Sequence, residues 1–145
     1  MKIYICDDEP KILSDISSKV KDTLSGVDIS EFTSGKSLLE AIAESSCDIL
    51  LLDIDMPEIS GLDIAKELAL MTEKPLLVFV TSHDELVYDS FKFHPFGFVR
   101  KSYLDKELPC ILTDCVKELE SREKHFCFHT ANADVKLQLD EILYF

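Results

Sequence analysis

The chain has 145 residues, 46% of them hydrophobic and 30% charged, and its 28 acidic and 15 basic side chains produce a net charge of −13. This length suits one well-buried domain and is too short for two full ones. A surface this negative repels phosphate backbones, so we expect this chain alone not to bind DNA or RNA.

Cysteine usage and the chain start bear on the compartment. The five cysteines are an odd number without C-x-x-C spacing, which favours a reducing environment. The start M-K-I-Y-I-C-D-D-E is not a signal peptide, and no apolar run approaches membrane-spanning length. We therefore expect a cytoplasmic protein without membrane contact.

Residues 1–52 show three short apolar segments separated by two helical patterns. A strand over 2–6 is followed by an acidic loop and a helix that begins near Pro10 and ends before Gly26. Alternation over 27–32 predicts a second strand, and Ser34 is a candidate N-cap of the next helix. Residues 49–52, I-L-L-L, form a continuous apolar run, which is typical of a central strand buried on both faces.

The same alternation continues to about residue 122. We predict helices over 61–71, 84–91 and 103–120, and strands over 76–80 and 96–100. Five strands alternating with helices predict an α/β fold, a doubly wound parallel sheet with right-handed crossovers and helices on both faces.

Residues 123–145 change character. Phe126 and Phe128 alternate with polar residues, and a second alternating run follows a turn near Asn132, which predicts a hairpin-like β segment. We interpret it as the opening of a second domain, and a hairpin that belongs to the first domain is the alternative.

A zinc site in this segment is a weaker hypothesis. His125, Cys127 and His129 would lie on one face of the predicted strand, where they could bind zinc. Only three ligands at this spacing are visible.

Polar and charged residues stand where the predicted strands end, namely Asp7 and Asp8, Asp53, Thr81 and Lys101. Because these strand ends lie side by side at one edge of a doubly wound sheet, we expect the side chains to meet there. Crowded carboxylates raise each other's pKa unless a cation joins them, and oxygen ligands select a hard ion. The expected cofactor is Mg²⁺.

This set of groups suits the transfer of a phosphoryl group, which depends mainly on positioning and charge neutralisation. Asp53 would be the nucleophile, Asp7 and Asp8 would hold the metal directly or through water, and Thr81 and Lys101 would contact phosphoryl oxygens. Taken singly, each residue also has a structural interpretation, such as a turn-starting aspartate or a solvated lysine. Their occurrence at four strand ends in this order favours the functional interpretation.

Four motifs carry a family resemblance, C-D-D-E-P, L-L-L-D-I-D-M-P-E-I-S-G-L-D, F-V-T-S and F-G-F-V-R-K. Through them, residues 1–122 resemble the receiver domain of two-component response regulators. The resemblance implies a flavodoxin-like sheet in the order 2-1-3-4-5. It also implies Mg²⁺-dependent phosphoryl transfer from a sensor histidine kinase to Asp53, with slow self-dephosphorylation rather than enzymatic turnover.

The resemblance further implies individual roles. Asp8 and Asp53 would ligate Mg²⁺ together with the backbone carbonyl of Asp55, and Phe98 would turn inward when Thr81 moves. His83 stands where receivers adjust the rate at which the phosphoryl group is lost. An exposed face of the last helix could support a homodimer, and the sequence leaves that open.

One departure concerns the residue after Lys101. Receivers usually have a proline there, often across a cis peptide, whereas this chain has Ser102. A cis bond before serine would cost about 3 kcal/mol. We therefore expect a different loop geometry.

The run V-K-L-Q-L-D-E-I-L-Y-F resembles the first strands of a LytTR-type DNA-binding domain. This resemblance implies that 123–145 is the truncated start of such a domain. DNA binding and transcription control would then require a complete output domain.

Two alternatives come from other classes of protein. A haloacid dehalogenase-like phosphatase also begins with hydrophobic-D-x-D, but it expects Thr or Val where this chain has Pro57, and its further acidic motif follows the lysine. A receiver-like interaction module that works without phosphorylation predicts a damaged site, whereas this set of residues is complete.

Overall fold

The computed structural model describes residues 1–82 and 90–131, with side chains described through residue 123. Five parallel strands form one sheet in the order β2-β1-β3-β4-β5, which confirms the predicted order. The strands are β1 (Lys2–Cys6), β2 (Asp28–Phe32), β3 (Ile49–Leu52), β4 (Leu76–Thr81) and β5 (Gly97–Arg100).

Four α-helices are described, α1 (Pro10–Thr23), α2 (Gly35–Glu44), α3 (Gly61–Ala69) and α4 (Leu104–Ala131). The proline at the start of α1 fits a position whose N–H has no helical partner. The predicted N-cap is confirmed, because the Ser34 side chain accepts a hydrogen bond from the Ser37 N–H. Most of the helix predicted over 84–91 lies outside the described residues, and Phe91 begins a 3-10 turn, Phe91–Phe93.

Burial follows the position of each strand in the sheet. All residues of the inner strands β3 and β4 are buried, as the continuous apolar runs predict. The edge strand β2 has no buried residue. One core cluster packs β1, β3 and β4 against α2 and α3, and its fully buried side chains include Leu38, Leu50, Leu52, Ile64 and Phe79.

The helix α4 corrects the prediction for residues 123–131. The backbone there is helical, so the strand predicted through Phe126 and Phe128 is wrong. The alternating pattern covers only a few residues, and no glycine or proline after Pro109 would stop the helix before Ala131. The zinc hypothesis assumed that all three residues share one strand face, and that face is lost with the strand, because on a helix residues four apart are neighbours but residues two apart are not.

The chain divides into two compact units, Met1–Cys115 and Val116–Phe145. Residues 132–145 lie outside the described part, so the second alternating run and its resemblance to a LytTR-type domain stay predictions. The same holds for the proposed division into 1–122 and 123–145.

Candidate functional site

The carboxyl edge of the sheet places two aspartates side by side. Asp7 directly follows β1, and its N–H donates a hydrogen bond to the Phe32 carbonyl at 3.1 Å. Asp53 directly follows β3, and its N–H donates to the Cys6 carbonyl at 3.0 Å. The backbone ladder thus extends one residue beyond both strands, which holds both carboxylates at the same level of the sheet.

Three carboxylates meet at this edge. Asp7, Asp8 and Asp53 each offer an oxygen within 4.8 Å of the others. Asp7 and Asp53 are buried, and Asp8 is half-buried. Within the part of the chain that is described, the buried Oδ2 atom of Asp7 forms an ion pair with Lys101 and accepts no other hydrogen bond. A buried carboxylate oxygen of this kind, with two more within reach, fits a hard divalent cation.

Lys101 lies against the same carboxylates. Its Nζ atom is 2.8 Å from Asp7 Oδ2 and 3.3 Å from Asp53 Oδ2. Burial alone would lower the pKa of Lys101, but the contact with Asp7 and the charge of Asp53 outweigh it and raise the pKa. The ammonium group therefore stays charged and joins two of the three carboxylates.

The Asp53 carboxylate is buried close to two other carboxylates. Burial, and secondarily the charge of Asp7, raises the pKa of Asp53 to about 6, although Lys101 acts in the opposite direction. Its Oδ1 atom accepts a long hydrogen bond, 3.4 Å, from the Asp55 N–H. The cost of burying this charge indicates a site that an added cation would stabilise.

Thr81 and Phe98 lie on the two neighbouring strands. Thr81 is buried at the end of β4, where its register partner is Arg100. Phe98 is half-buried on β5, stacks on Phe79 with ring centroids 5.8 Å apart and meets the edge of Phe91 at 5.2 Å. Thr81 therefore lies at the carboxyl end of β4, and the Phe98 ring packs against β4 and the 3-10 turn.

The loop from β3 to α3 contains two backbone features that the sequence patterns missed. A Cβ atom on Gly61 would lie 2.2 Å from the Asp53 carbonyl oxygen. The Ile59 N–H bonds to the Pro57 carbonyl at 2.8 Å across Glu58, whose φ is 67°, which is typical of a γ-turn. The glycine was the available signal for the first feature, and nothing in the sequence marks Glu58.

Cys6 lies beneath the site and is inert. Burial, followed by the charges of Asp7 and Asp53, raises the pKa of this thiol to about 12. Its Sγ atom lies 3.6 Å from the Ser34 carbonyl and 3.7 Å from Met56 Sδ. This cysteine therefore packs the floor of the site and offers no thiolate.

The remaining sequence-predicted residues have separate outcomes. Asp55 is exposed, and the structure assigns no role to its carbonyl. No peptide bond within the described ranges is cis, so Lys101–Ser102 departs from the usual receiver geometry as expected. His83 lies outside the described residues.

The family of the chain follows from comparison with known proteins. Residues 3–113 match the family described as response regulator receiver domain. The chain belongs to this family. Membership disagrees with the alternative of a haloacid dehalogenase-like phosphatase.

Two curated relatives illustrate the match. The response regulator protein TmoT of Ectopseudomonas mendocina is 31% identical over 108 residues, 73% of this chain and 48% of that protein. The sensory transduction protein LytT of Enterococcus faecalis is 26% identical over 119 residues, 82% of this chain and 49% of that protein. The chain thus spans about half the length of these relatives.

Solved structures agree on the fold. The response regulatory domain of mrkE from Klebsiella pneumoniae superposes with a TM-score of 0.78 at 24% identity, over 83% of this chain and 99% of that one. TrrA from Thermotoga maritima, solved in complex with Mg(2+)-BeF, has a TM-score of 0.71 at 25% identity, over 79% of this chain and 97% of that one. Among the helices of the described residues, none has the length and apolarity to cross a membrane.

Proposed function

We propose that the chain is the phosphoacceptor part of a two-component response regulator. A sensor histidine kinase transfers a phosphoryl group to Asp53, and Mg²⁺ is required. The observation that carries this proposal is the position of the buried Asp53 carboxylate, within 4.8 Å of two further carboxylates and 3.3 Å from the Lys101 ammonium.

The reaction forms a bond between an Asp53 carboxylate oxygen and phosphorus and breaks the bond between phosphorus and the donor. Asp53 must be ionised to attack, and a pKa of about 6 leaves it mostly ionised near neutral pH. Mg²⁺, held by Asp7, Asp8 and Asp53 with the Asp55 carbonyl, would supply positive charge for the phosphoryl oxygens. Lys101 pairs with one such oxygen, and the Thr81 hydroxyl donates to another.

The phosphorylated state then changes the output. Phosphorylation adds nearly two negative charges at Asp53, and the arrangement of β4 and β5 responds through Thr81 and Phe98. Slow self-dephosphorylation returns the protein to its resting state. A homodimer is one further form that this change could favour.

We propose a LytTR-type output that controls transcription by binding DNA. Support comes from the resemblance of residues 135–145 and from two relatives, the sensory transduction protein LytT and the transcriptional regulatory protein LytR of Staphylococcus aureus. The negative charge of this chain means that DNA binding belongs to a complete output domain.

The test is intact mass after incubation with Mg²⁺ and acetyl phosphate. The parent should gain one phosphoryl group, and Asp53→Asn should gain none because an amide is not a nucleophile here. Asp22→Asn is the matched control, since it removes an exposed carboxylate on α1 that is not part of the carboxylate cluster. We expect this control to label like the parent.

Two results would contradict the proposal. Labelling of Asp53→Asn to the parent's level would place the acceptor at another residue. A parent that binds Mg²⁺ without gaining mass would favour an interaction module that works without phosphorylation.

A further inference from the structure

The end of β5 is held by a contact that the carboxylate cluster does not explain. Glu107, near the start of α4, accepts a hydrogen bond from the backbone N–H of Arg100 at 2.8 Å. The same carboxylate accepts from the Arg100 side chain, at 3.0 Å from Nε and 2.6 Å from Nη2. The Arg100 guanidinium also lies 4.1 Å from the centroid of the Tyr103 ring. We call these three residues the Arg100 clamp.

The Arg100 clamp contains more hydrogen bonds than an ordinary surface ion pair. Most exposed pairs contribute little, but a two-pronged arginine–carboxylate contact is directional and stronger. The β5 strand is an edge strand, and Glu107 occupies a backbone N–H that has no neighbouring strand to bind. The clamp therefore fixes both the backbone and the side chain of Arg100.

Residues of the Arg100 clamp lie on both sides of Lys101 in the sequence. Arg100 precedes it, and Tyr103 ends the 3-10 turn that Lys101 begins. The residue after Lys101 is a serine in a trans peptide, which leaves this backbone without the restriction that a proline would add. Anchors on both sides replace that restriction, because they limit the directions in which the Lys101 side chain can leave the backbone.

We propose that the Arg100 clamp positions Lys101 so that its ammonium reaches Asp7 and Asp53. Arg100, Tyr103 and Glu107 are positioning residues, which act on the reaction through Lys101. The proposal rests on the proposed function, because Lys101 is the group through which the clamp acts. Displacement of a positioned group by about 1 Å can lower a rate by up to about 100-fold.

The first test is the initial rate of Asp53 phosphorylation by phosphoramidate, which cannot acylate lysine. Glu107→Ala should lower this rate by about three- to tenfold, and Glu107→Gln should be intermediate because an amide oxygen still accepts the backbone hydrogen bond. Asp105→Asn is the matched control, since it removes one negative charge from the same helical turn. The Asp105 carboxylate pairs with Lys19 and not with Arg100. We expect this control to keep the parent's rate.

Epistasis separates positioning from a general effect on the fold. In a Lys101→Ala background, Glu107→Ala should cause no further loss of rate, because the group that the clamp positions is already absent. A loss of equal size in both backgrounds would overturn the proposal. Should Glu107→Ala fail to fold, Glu107→Gln and Arg100→Lys provide the same comparison.

The second test does not depend on phosphorylation. Peptide mass spectrometry after brief treatment with an acylating reagent reports the reactivity of Lys101 relative to the exposed Lys66. The side chain of Lys101 is 12% exposed and ion-paired, so Glu107→Ala should increase its acylation several-fold and Asp105→Asn should not. Unchanged acylation in Glu107→Ala would overturn the clamp even if the parent is phosphorylated. Increased acylation of Lys101 in Glu107→Ala, together with a parent that gains no phosphoryl group, would support the clamp and contradict the proposed function.

Discussion

Opposing electrostatic effects act on the pKa of the Asp53 carboxylate. Burial and the charge of Asp7 disfavour the ionised form, and Lys101 at 3.3 Å favours it. The balance leaves the pKa of Asp53 at about 6, above its ordinary value of 3.8. The resting site therefore holds a charge that destabilises the folded state without a cation, and this charge is the one that the proposed reaction requires.

The raised pKa predicts a pH dependence of stability in metal-free buffer. An acid with a raised pKa in the folded state favours folding while protonated, and this contribution is lost as pH rises from about 4 to about 6. Asp53→Asn has no charge to bury at this position. The free energy of unfolding of this variant should therefore increase relative to that of the parent as pH rises from about 4 to about 6. After allowance for solvent screening, the gain should reach on the order of 2 kcal/mol above pH 6.

Urea unfolding at several pH values with a chelator present measures this difference. The control is Asp22→Asn, which removes an exposed carboxylate from α1. Its difference from the parent is the baseline against which the Asp53→Asn difference is compared. A flat difference for Asp53→Asn would show that the carboxylate is not destabilised in the folded state.

The loop between β3 and α3 is the element that holds Asp53 in place. Gly61 begins α3, and its N–H donates a hydrogen bond to the Ile54 carbonyl at 2.8 Å. The capping box of Ser60 and Asp63 fixes the start of the same helix. Helix and strand therefore approach so closely at Asp53 that no side chain fits between their backbones.

Gly61→Ala should disturb this approach. The new Cβ atom would lie 2.2 Å from the Asp53 carbonyl oxygen and 2.7 Å from the Ile54 Cα, and neither backbone atom can move without shifting β3 or α3. We expect a loss of about 3 kcal/mol or more in the free energy of unfolding, together with slower phosphorylation.

Gly26→Ala is the comparison for this substitution. Its φ of 67° strains an alanine, but nothing lies within 4 Å of the added Cβ atom. Only the conformational cost of about 1 kcal/mol is expected. Equal losses in the two variants, measured by urea unfolding, would mean that the overlap at Asp53 is relieved at little cost.

At the scale of the whole molecule, the chain has a net charge of −13, and three of its carboxylates repel one another at one edge of the sheet. A cation that binds only the folded state stabilises it by mass action. Under the proposed function, the carboxylate cluster would couple the stability of the receiver to Mg²⁺.

Mg²⁺ should raise the melting temperature of the parent. At about ten times its dissociation constant, the gain should be about 1.4 kcal/mol, or roughly 3 to 5 °C for a domain of this size. Asp8→Asn should reduce the shift, because it removes one of three carboxylate ligands, whereas Asp22→Asn should keep it. Sodium chloride at matched ionic strength controls for screening, and an equal shift with this salt would contradict a specific site.

The residues of the sequence predicted the N-cap at Ser34 and the meeting of Asp7, Asp8, Asp53 and Lys101 at the carboxyl edge, whereas the strand order was implied by the resemblance to receiver domains. The N-cap and the meeting of these side chains follow from short-range patterns, because burial sets the period of a strand or helix and the ends of parallel strands share one edge. The buried run Ile49–Leu52 and the aspartate that follows it could therefore be identified without coordinates.

Only the tertiary structure decided the overlap that keeps Gly61 a glycine, the raised pKa of Asp53 and the clamp between Arg100 and Glu107. Each depends on distances and burial that arise when separate elements pack. The extension of α4 to Ala131 shows where a sequence pattern gave a wrong prediction, since a brief alternation of aromatic residues does not override a continuous helix. Local patterns define which elements form, and packing defines what their residues contact.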